Sequence, residues 1–215
     1  MEISYLGHSS FRIKTKTIVI VTDPFDSLMV GMKFPPVDAD VVTVSHSHED
    51  HSRVDAVKGV RKVISGPGEY EISGVTVIGI PTYHDDQKGE KRGKNTVYIF
   101  EFEDIRLCHL GDLGHELNEK QVSEIGNINI LLIPVGGEYT INPQVAASVV
   151  RSIEPQITIP MHYKQKGMNE EAFGLLKTVD EFLSEIGLPV ERLPKLSIKY
   201  SDIGEDQKII VLESK

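Results

Sequence analysis

The sequence predicts an α+β fold in which two mixed β-sheets are each covered by helices. The first half of the chain consists of short strand-like segments joined by tight turns, and the second half alternates apolar strands with amphipathic helices. One apolar strand ends near residue 45 in a dense group of histidine and aspartate, which places polar chemistry at a sheet edge. No linker or low-complexity segment interrupts the chain, so residues 1–215 are predicted to form a single domain.

The first half is predicted to begin with a three-stranded meander and to continue with strands separated by glycine-rich turns. Gly7-His8-Ser9 and Gly66-Pro67-Gly68 are typical turn sequences. A short helix is expected over 52–60, directly after the histidine-rich group, and a polar surface loop over 85–94. The strands predicted from this pattern are 3–6, 10–14, 17–21, 41–45, 62–64, 69–72, 75–80, 96–102 and 105–110.

The second half is predicted to carry most of the helices. Asn142 and Pro143 suit the capping position and the first position of a helix, and apolar residues recur at helical spacing after them. The helices predicted in this half are 118–125, 142–153 and 170–186, and the strands are 128–135, 156–160, 196–200 and 208–212.

Composition and charge restrict the possible classes of function. The net charge of -9, from 32 acidic and 23 basic residues, gives no strong nucleic-acid signal, because a broad nucleic-acid surface needs excess positive charge. The single cysteine, Cys108, excludes an intrachain disulfide and fits a reducing, cytoplasmic location. The chain start lacks a signal-peptide pattern, and no apolar run approaches the roughly 20 residues of a membrane span.

The most informative segment is His46-Ser47-His48-Glu49-Asp50-His51, which follows an apolar strand directly. Imidazole nitrogens and carboxylate oxygens are ligands that suit zinc, manganese and iron. His46 and His48 need one further group to complete a three-ligand site, and Asp50 and His51 begin a second site. An ion held by three protein ligands with an open position is the pattern of catalytic metal sites.

Three further candidate ligands, His84, Asp112 and His162, each follow an apolar strand. Strand ends at one edge of a sheet converge in space even when they are far apart in sequence, and such edges are common places for active sites. Taken alone, a histidine at a strand end is more often a structural residue than a ligand. Beside a cluster that needs outside ligands, the ligand interpretation is favoured.

The motif H-x-H-x-D-H, followed in order by the three single ligands, resembles that of the metallo-β-lactamase superfamily. Further segments resemble the small Zn-dependent hydrolases that include the L-ascorbate-phosphate lactonase, and the similarity runs from about residue 3 to 163. It implies a four-layer αββα sandwich. The segments that carry this narrower resemblance are Gly7-His8-Ser9-Ser10-Phe11, 109–115, Ile133-Pro134-Val135-Gly136-Gly137 and Ile159-Pro160-Met161-His162-Tyr163.

The resemblance also implies two divalent metal ions, most simply Zn2+, with Mn2+ or Fe2+ as alternatives. The ligands carried over for the first ion are His46, His48 and His84. Those for the second ion are Asp50, His51 and His162, with Asp112 as the bridge between the two ions. Histidine at position 48, where the flavin di-iron oxidoreductases are expected to carry glutamate, favours hydrolysis over redox chemistry.

The leading functional hypothesis is hydrolysis of a small, anionic ester, lactone or phosphoester by a hydroxide shared between the two metals. Asp50 is expected to be a ligand that also orients the hydroxide or accepts its proton. His115 or His8 is expected to protonate the leaving group or to bind substrate. His109 has two interpretations, support of a ligand or a purely structural role.

Two other classes of function stay open at this point. A nuclease or cyclic-nucleotide phosphodiesterase could use the same metals, although the negative charge and the lack of tryptophan disfavour a polymer substrate. A non-catalytic metal-binding protein is disfavoured by the complete ligand set. The expected partner is a small-molecule substrate, with no membrane, and a homo-oligomer is compatible with the sequence.

A basic segment containing Lys88, Lys91, Arg92 and Lys94 follows His84 in the sequence. One interpretation is a phosphate anchor at the mouth of the site. The other, which the sequence favours, is a solvated loop.

Overall fold

The structure is a computed structural model that describes residues 1–214. Its strands are β1 (Glu2–Gly7), β2 (Ser10–Lys14), β3 (Val19–Thr22), β4 (Val37–Asp38), β5 (Val41–Val44), β6 (Val57–Lys58), β7 (Lys62–Ser65), β8 (Gly68–Ile72), β9 (Val75–Tyr83), β10 (Lys94–Phe102), β11 (Ile105–His109), β12 (Ile130–Pro134), β13 (Ile157–Met161), β14 (Val190–Leu193), β15 (Leu196–Ser197) and β16 (Lys208–Leu212). Its α-helices are α1 (Ser27–Val30), α2 (Glu119–Ile125), α3 (Pro143–Ile153), α4 (Glu170–Phe173) and α5 (Val179–Ile186).

Two large mixed sheets form the centre of the fold. The six-stranded sheet has the order β15-β1-β2-β3-β5-β7, antiparallel from β15 to β3 and parallel from β3 to β7. The eight-stranded sheet has the order β14-β16-β13-β12-β11-β10-β9-β8, antiparallel from β8 to β11 and parallel from β11 to β14. Two mixed sheets flanked by helices confirm the predicted fold class.

The six-stranded sheet is buried on both faces. Ile20 and Val41 belong to a large apolar cluster that also contains residues of the eight-stranded sheet and of α3. Their neighbours Val21 and Val42 point to the opposite face and join a second cluster that includes Phe173 of α4. Because successive side chains of a strand point to opposite faces, this division places apolar layers on both sides of the sheet. Each fully buried side chain of this size contributes about 1.5–3 kcal/mol.

The direction of the strands determines where the candidate site lies. β1, β3 and β5 run the same way in the six-stranded sheet, and β9, β11 and β13 run the same way in the eight-stranded sheet. Histidine or aspartate residues lie at or just after the carboxyl ends of these strands. The ends of both sheets therefore meet at one edge of the sandwich.

Two predicted helices differ from the structure. Segment 52–60 forms a short 3-10 turn over Val54–Ala56 and then strand β6, which pairs with β4. The predicted helix over 170–186 is interrupted between α4 and α5, where the Lys177 backbone N–H donates a 2.8 Å hydrogen bond to the Gly136 carbonyl. In both segments, pairing with a distant part of the chain overrides local helix preference. None of the helices within residues 1–214 has the length and apolar character that a membrane span requires.

Candidate metal centre

The two sheets bring the seven predicted ligands into one cluster around Asp112. The Oδ2 atom of Asp112 lies 3.2 Å from Nε2 of His51, 3.2 Å from Nε2 of His162 and 3.3 Å from Nε2 of His84. Nε2 of His46 lies 4.0 Å from the same oxygen. Four imidazole nitrogens thus surround a single carboxylate oxygen that is almost completely buried.

The cluster contains three groups of possible ligands, and the third, Asp23 with His46 and His51, shares a residue with each of the other two. One group contains His46, His48 and His84, and Nε2 of His46 lies 3.1 Å from Nδ1 of His48. A second group contains Asp50, His51 and His162, with His8 beside them. In this second group, Nε2 of His51 lies 3.4 Å from Oδ2 of Asp50. The first two groups match the ligand sets that the resemblance implies, with Asp112 between them.

Unsatisfied buried atoms show that these residues fit a metal ion. Nε2 of His51, Nε2 of His162 and Oδ1 of Asp112 are buried without a hydrogen-bond partner within residues 1–214. Leaving such atoms unpaired is costly, and a cation would satisfy them. Two ligand atoms bound to one tetrahedral Zn2+ at its usual bond length lie roughly 3.3 Å apart. Oδ2 of Asp112 lies 3.2 to 3.3 Å from Nε2 of His51, His84 and His162, which is close to that separation.

The charges of the cluster favour a cation as well. Burial alone would lower the pKa of the His51 imidazole, but the carboxylates of Asp112 and Asp50 raise it well above its usual value. Burial, and then the neighbouring His51, lower the pKa of His46 to about 3. Burial lowers the pKa of His84 to about 4. His46 and His84 are therefore neutral near pH 7, which is the form in which imidazole binds metals.

Asp23, which sequence reasoning missed, orients two of the candidate ligands. Its Oδ2 atom accepts a 2.9 Å hydrogen bond from Nδ1 of His51 and another from the hydroxyl of Ser45. Ser45 Oγ lies 3.0 Å from Nδ1 of His46 and can accept its proton. Protons held on both Nδ1 atoms leave both Nε2 atoms free to bind a metal. The available signal was the position of Asp23, directly after β3 and next to the strand that leads to His46.

We expect Asp23→Asn to weaken metal binding by about 10- to 100-fold, the range typical of partners that orient metal ligands. The asparagine amide keeps the shape of the side chain but replaces one acceptor oxygen with an NH2 donor. This donor would face the N–H of His51 Nδ1 and could not accept its hydrogen bond. Competition with a chromophoric chelator measures the affinity of each ion. Asp38→Asn, the same change at an exposed position of β4, is the matched control. Equal affinities in both variants would contradict the role assigned to Asp23.

His8 lies behind Asp50 and has no exposed surface. Its Nε2 atom lies 3.0 Å from Oδ2 of Asp50, and its ring lies 4.2 Å from that of His162. Burial, and then the neighbouring His162, lower the pKa of His8 to about 4, so the neutral ring can donate its Nε2 proton to Asp50. This geometry fits a residue that positions Asp50, whereas direct contact with substrate would require exposure to the cavity.

The structure does not bring His115 to the cluster. Its Nε2 atom accepts a hydrogen bond from the Tyr83 backbone N–H at 3.3 Å, and its Nδ1 atom lies 2.8 Å from the Glu116 carbonyl. Both ring nitrogens are thus engaged by backbone groups outside the cavity that contains the candidate ligands, and nothing in this geometry supports the predicted catalytic role.

His109 supports the backbone turn that carries Asp112. Its Nε2 atom lies 2.9 Å from the Ser9 carbonyl, and its Nδ1 atom accepts a hydrogen bond from the Gly111 backbone N–H. Asn95 supports the same turn, because its side chain donates to the Leu110 carbonyl and accepts from the Asp112 backbone N–H. The sequence left two interpretations of His109 open, support of a ligand or a purely structural role, and it gave no indication that Asn95 would hold this turn.

Two glycines allow ligand-bearing segments to approach other backbone closely. A Cβ atom at Gly114 would lie 2.2 Å from the carbonyl carbon of His84, and one at Gly136 would lie 2.1 Å from the carbonyl oxygen of His162. Both contacts are far shorter than carbon atoms tolerate. The absence of a side chain at these two positions is therefore part of what places His84 and His162.

A cavity of about 300 Å³ opens onto the cluster. Four candidate ligands, His48, Asp50, His84 and Asp112, line it. The other lining residues are Met29, Arg92, Tyr139, Ala172 and Phe173. This volume lies at the lower end of the range for small-molecule sites, about 300–1,000 Å³. The candidate ligands are thus accessible to a small molecule.

Comparison with known proteins identifies the family. A sequence model of the beta-lactamase superfamily domain matches residues 2–162. A UPF0173 metal-dependent hydrolase of Methanopyrus kandleri is 26% identical, over 99% of this chain and 97% of its own length. Another UPF0173 metal-dependent hydrolase, from Carboxydothermus hydrogenoformans, is 30% identical over 76% of this chain and 84% of its own length.

A solved structure from Thermotoga maritima agrees with these matches. It belongs to a protein of the metallo-β-lactamase superfamily with Zn-dependent hydrolysis as its proposed activity. The two chains are 39% identical, the comparison covers 100% of this chain and 99% of the other, and the TM-score is 0.80. None of these relatives bears on the narrower resemblance to the ascorbate-phosphate lactonase, which stays a prediction. The chain belongs to the metallo-β-lactamase superfamily and, within it, to the UPF0173 metal-dependent hydrolases.

Proposed function

We propose that the protein hydrolyses a small, anionic ester, lactone or phosphoester at a centre that holds two divalent metal ions, most simply zinc. The observation that carries this proposal is the convergence of four imidazole nitrogens on Oδ2 of Asp112, at 3.2 to 4.0 Å, between two groups of further ligands. A single structural ion would not need two ligand groups with a carboxylate between them.

The ligand roles follow the two groups. His46, His48 and His84 would hold one ion, Asp50, His51 and His162 the other, and Asp112 would contact both. Divalent ions at these positions supply Lewis acidity, which polarises a carbonyl or phosphoryl oxygen and lowers the pKa of water.

The protein's own residues fix the geometry and the proton positions. Asp23 holds a proton on Nδ1 of His51 and, through Ser45, on Nδ1 of His46. His8 donates to Asp50 from the buried side and leaves the rest of that carboxylate for the cavity. The apolar wall formed by Phe173 and its neighbours limits the water that surrounds a bound substrate, which strengthens electrostatic interactions within the cavity.

The test combines metal analysis with a substrate panel. We expect protein purified without added metal to contain close to two ions per chain and to hydrolyse at least one of a set of bis-aryl phosphodiesters, lactones and thioesters. His48→Ala should lower turnover by more than about 100-fold, beyond the usual effect of residues that only support ligands. Ser47→Ala, at the exposed neighbouring position, is the matched control.

Each other outcome has a defined meaning. Little or no metal, even after reconstitution, would contradict the proposal. Two ions without turnover of any substrate would favour a non-catalytic metal-binding protein. Turnover confined to phosphodiesters would favour the phosphodiesterase alternative.

A further inference from the structure

The basic segment after His84 covers the loop between β9 and β10 and the first residue of β10, and it brings one of its four basic side chains into the cavity. Arg92 is half-buried and lines the cavity together with His84 and Asp112. Lys88, Lys91 and Lys94 are exposed and are not part of the cavity lining. The basic segment is therefore not uniform: three of its cations face solvent, and one faces the candidate metal centre.

The backbone of this loop is held independently of the Arg92 side chain. The carboxylate of Asp85 accepts hydrogen bonds from the backbone N–H groups of Gln87, Gly89, Lys91 and Arg92, at 2.8 to 3.0 Å. Four donors on one buried carboxylate make a rigid turn. Removal of the guanidinium would leave all four bonds in place.

The guanidinium is positioned but not neutralised. Its Nη2 atom donates to the Glu138 carbonyl at 3.2 Å, and its central carbon lies 5.4 Å from the centroid of the Tyr139 ring, within cation–π range. Tyr139 is itself held by a hydrogen bond from its hydroxyl to the Ala172 carbonyl. Within residues 1–214, the arginines that pair with a carboxylate are Arg12, Arg53, Arg61, Arg106 and Arg192. Arg92 is not among them, so most of its five N–H donors are free for a ligand.

We propose that Arg92 binds an anionic group, a carboxylate or a phosphate, on the part of the substrate that is remote from the bond being broken. This inference rests on the proposed hydrolase function and names the residue that selects its substrate. A planar guanidinium matches both anions with paired hydrogen bonds. Two divalent ions would more than offset the charges of Asp50 and Asp112, so the cavity that Arg92 enters would be electropositive. Phe173 and Tyr139 would line the uncharged segment between the two ends of the substrate.

The first experiment measures binding and needs no turnover. Zn2+-loaded protein is titrated calorimetrically with dicarboxylates from malonate to adipate and with their monomethyl esters. In each pair only the diacid can place one carboxylate on the metals and the other on Arg92. For the best-fitting length we expect the diacid to bind at least about tenfold more tightly than its monoester, an effect typical of a charge-assisted hydrogen bond. Phosphonocarboxylates of the same lengths distinguish a phosphate site from a carboxylate site.

Substitutions then assign this preference to a residue. In Arg92→Gln, the ratio of diacid affinity to monoester affinity should fall to about threefold or less. In Arg92→Lys, which keeps the charge but loses the planar guanidinium and its paired hydrogen bonds, this ratio should be intermediate. Lys91→Gln removes a neighbouring charge of the same loop outside the cavity and should keep the full preference. Metal content and Tm of each variant verify that the fold is intact.

A kinetic experiment separates this inference from the proposed function. Mono-4-nitrophenyl glutarate and its methyl ester differ only in the remote charge. Arg92→Gln should raise KM for the anionic ester by about tenfold and leave kcat/KM for the neutral ester within about twofold. Turnover of both esters with no effect of Arg92→Gln would overturn the inference and leave the hydrolase intact. No diacid preference at any length in the unchanged protein would also overturn it.

Discussion

Replacing Asp112 by asparagine is expected to remove at least one of the two metal ions and to lower hydrolysis by more than about 100-fold. Asp112 contributes the oxygen on which His46, His51, His84 and His162 converge. An amide at this position carries no charge, so the repulsion between two nearby divalent ions would be much less compensated. Elemental analysis of the purified variant gives the metal content, and the best substrate of the panel gives the rate.

Asp86→Asn provides the control for Asp112→Asn. It makes the same chemical change at an exposed aspartate that also lies in a loop after a strand. We expect this control to keep both ions and full turnover. An Asp112→Asn protein with two ions per chain and an undiminished rate would show that Asp112 does not connect the two ions.

Gly114→Ala is expected to lower the free energy of unfolding by about 3 kcal/mol, the upper end of the range for overpacking. For a chain of this length this corresponds to a decrease in Tm of roughly 6–12 °C. The added Cβ would lie 2.2 to 2.4 Å from backbone atoms of His84 and Asp85, which cannot rotate away as a flexible side chain would. The hydrogen bond from the Gly114 N–H to the Tyr83 carbonyl would be strained as well.

Gly204→Ala is the matched control for this change. Gly204 also has a conformation open to other residues, and no atom lies within 4 Å of an added Cβ. We expect it to leave Tm unchanged or to raise it slightly, because alanine restricts the unfolded chain. Thermal unfolding monitored by circular dichroism, with and without a chelator, compares the two variants. If Gly114→Ala were as stable as Gly204→Ala, the backbone around His84 would have to shift to make room for the added Cβ without lowering the free energy of unfolding.

Most strands and the positions of the candidate ligands at strand ends could be predicted because they depend on local patterns. Apolar runs bounded by glycine and proline marked the strands, and Asn142 with Pro143 marked the start of α3, where Asn142 caps the helix as expected. The seven candidate ligands were identified from one dense motif and three strand ends. The structure brings these residues together because the strands that precede them run in the same direction within each sheet and end at the same edge.

The rest depended on contacts between distant segments. Segment 52–60 carries a helical pattern, but Val57 gains more by joining β4 and the second apolar cluster. Asp23 and Asn95 hold ligand-bearing turns through hydrogen bonds to residues far away in sequence, and no local pattern encodes such bonds. For the basic segment after His84, the sequence favoured a solvated loop over a phosphate anchor at the mouth of the site. The contacts of the Arg92 side chain are with Glu138 and Tyr139, which are distant in the sequence.

The candidate ligands lie on both sheets, and this arrangement affects the whole sandwich. His46, His48, Asp50 and His51 follow a strand of the six-stranded sheet, whereas His84, Asp112 and His162 follow strands of the eight-stranded sheet. Each bound ion would therefore act as a reversible cross-link between the two layers and would close long loops of the unfolded chain. A protein with a single cysteine would in this way gain the constraint that secreted proteins obtain from disulfides. Chelation would then act as reduction does in those proteins, and would loosen the sandwich first at the edge where the cross-link lies.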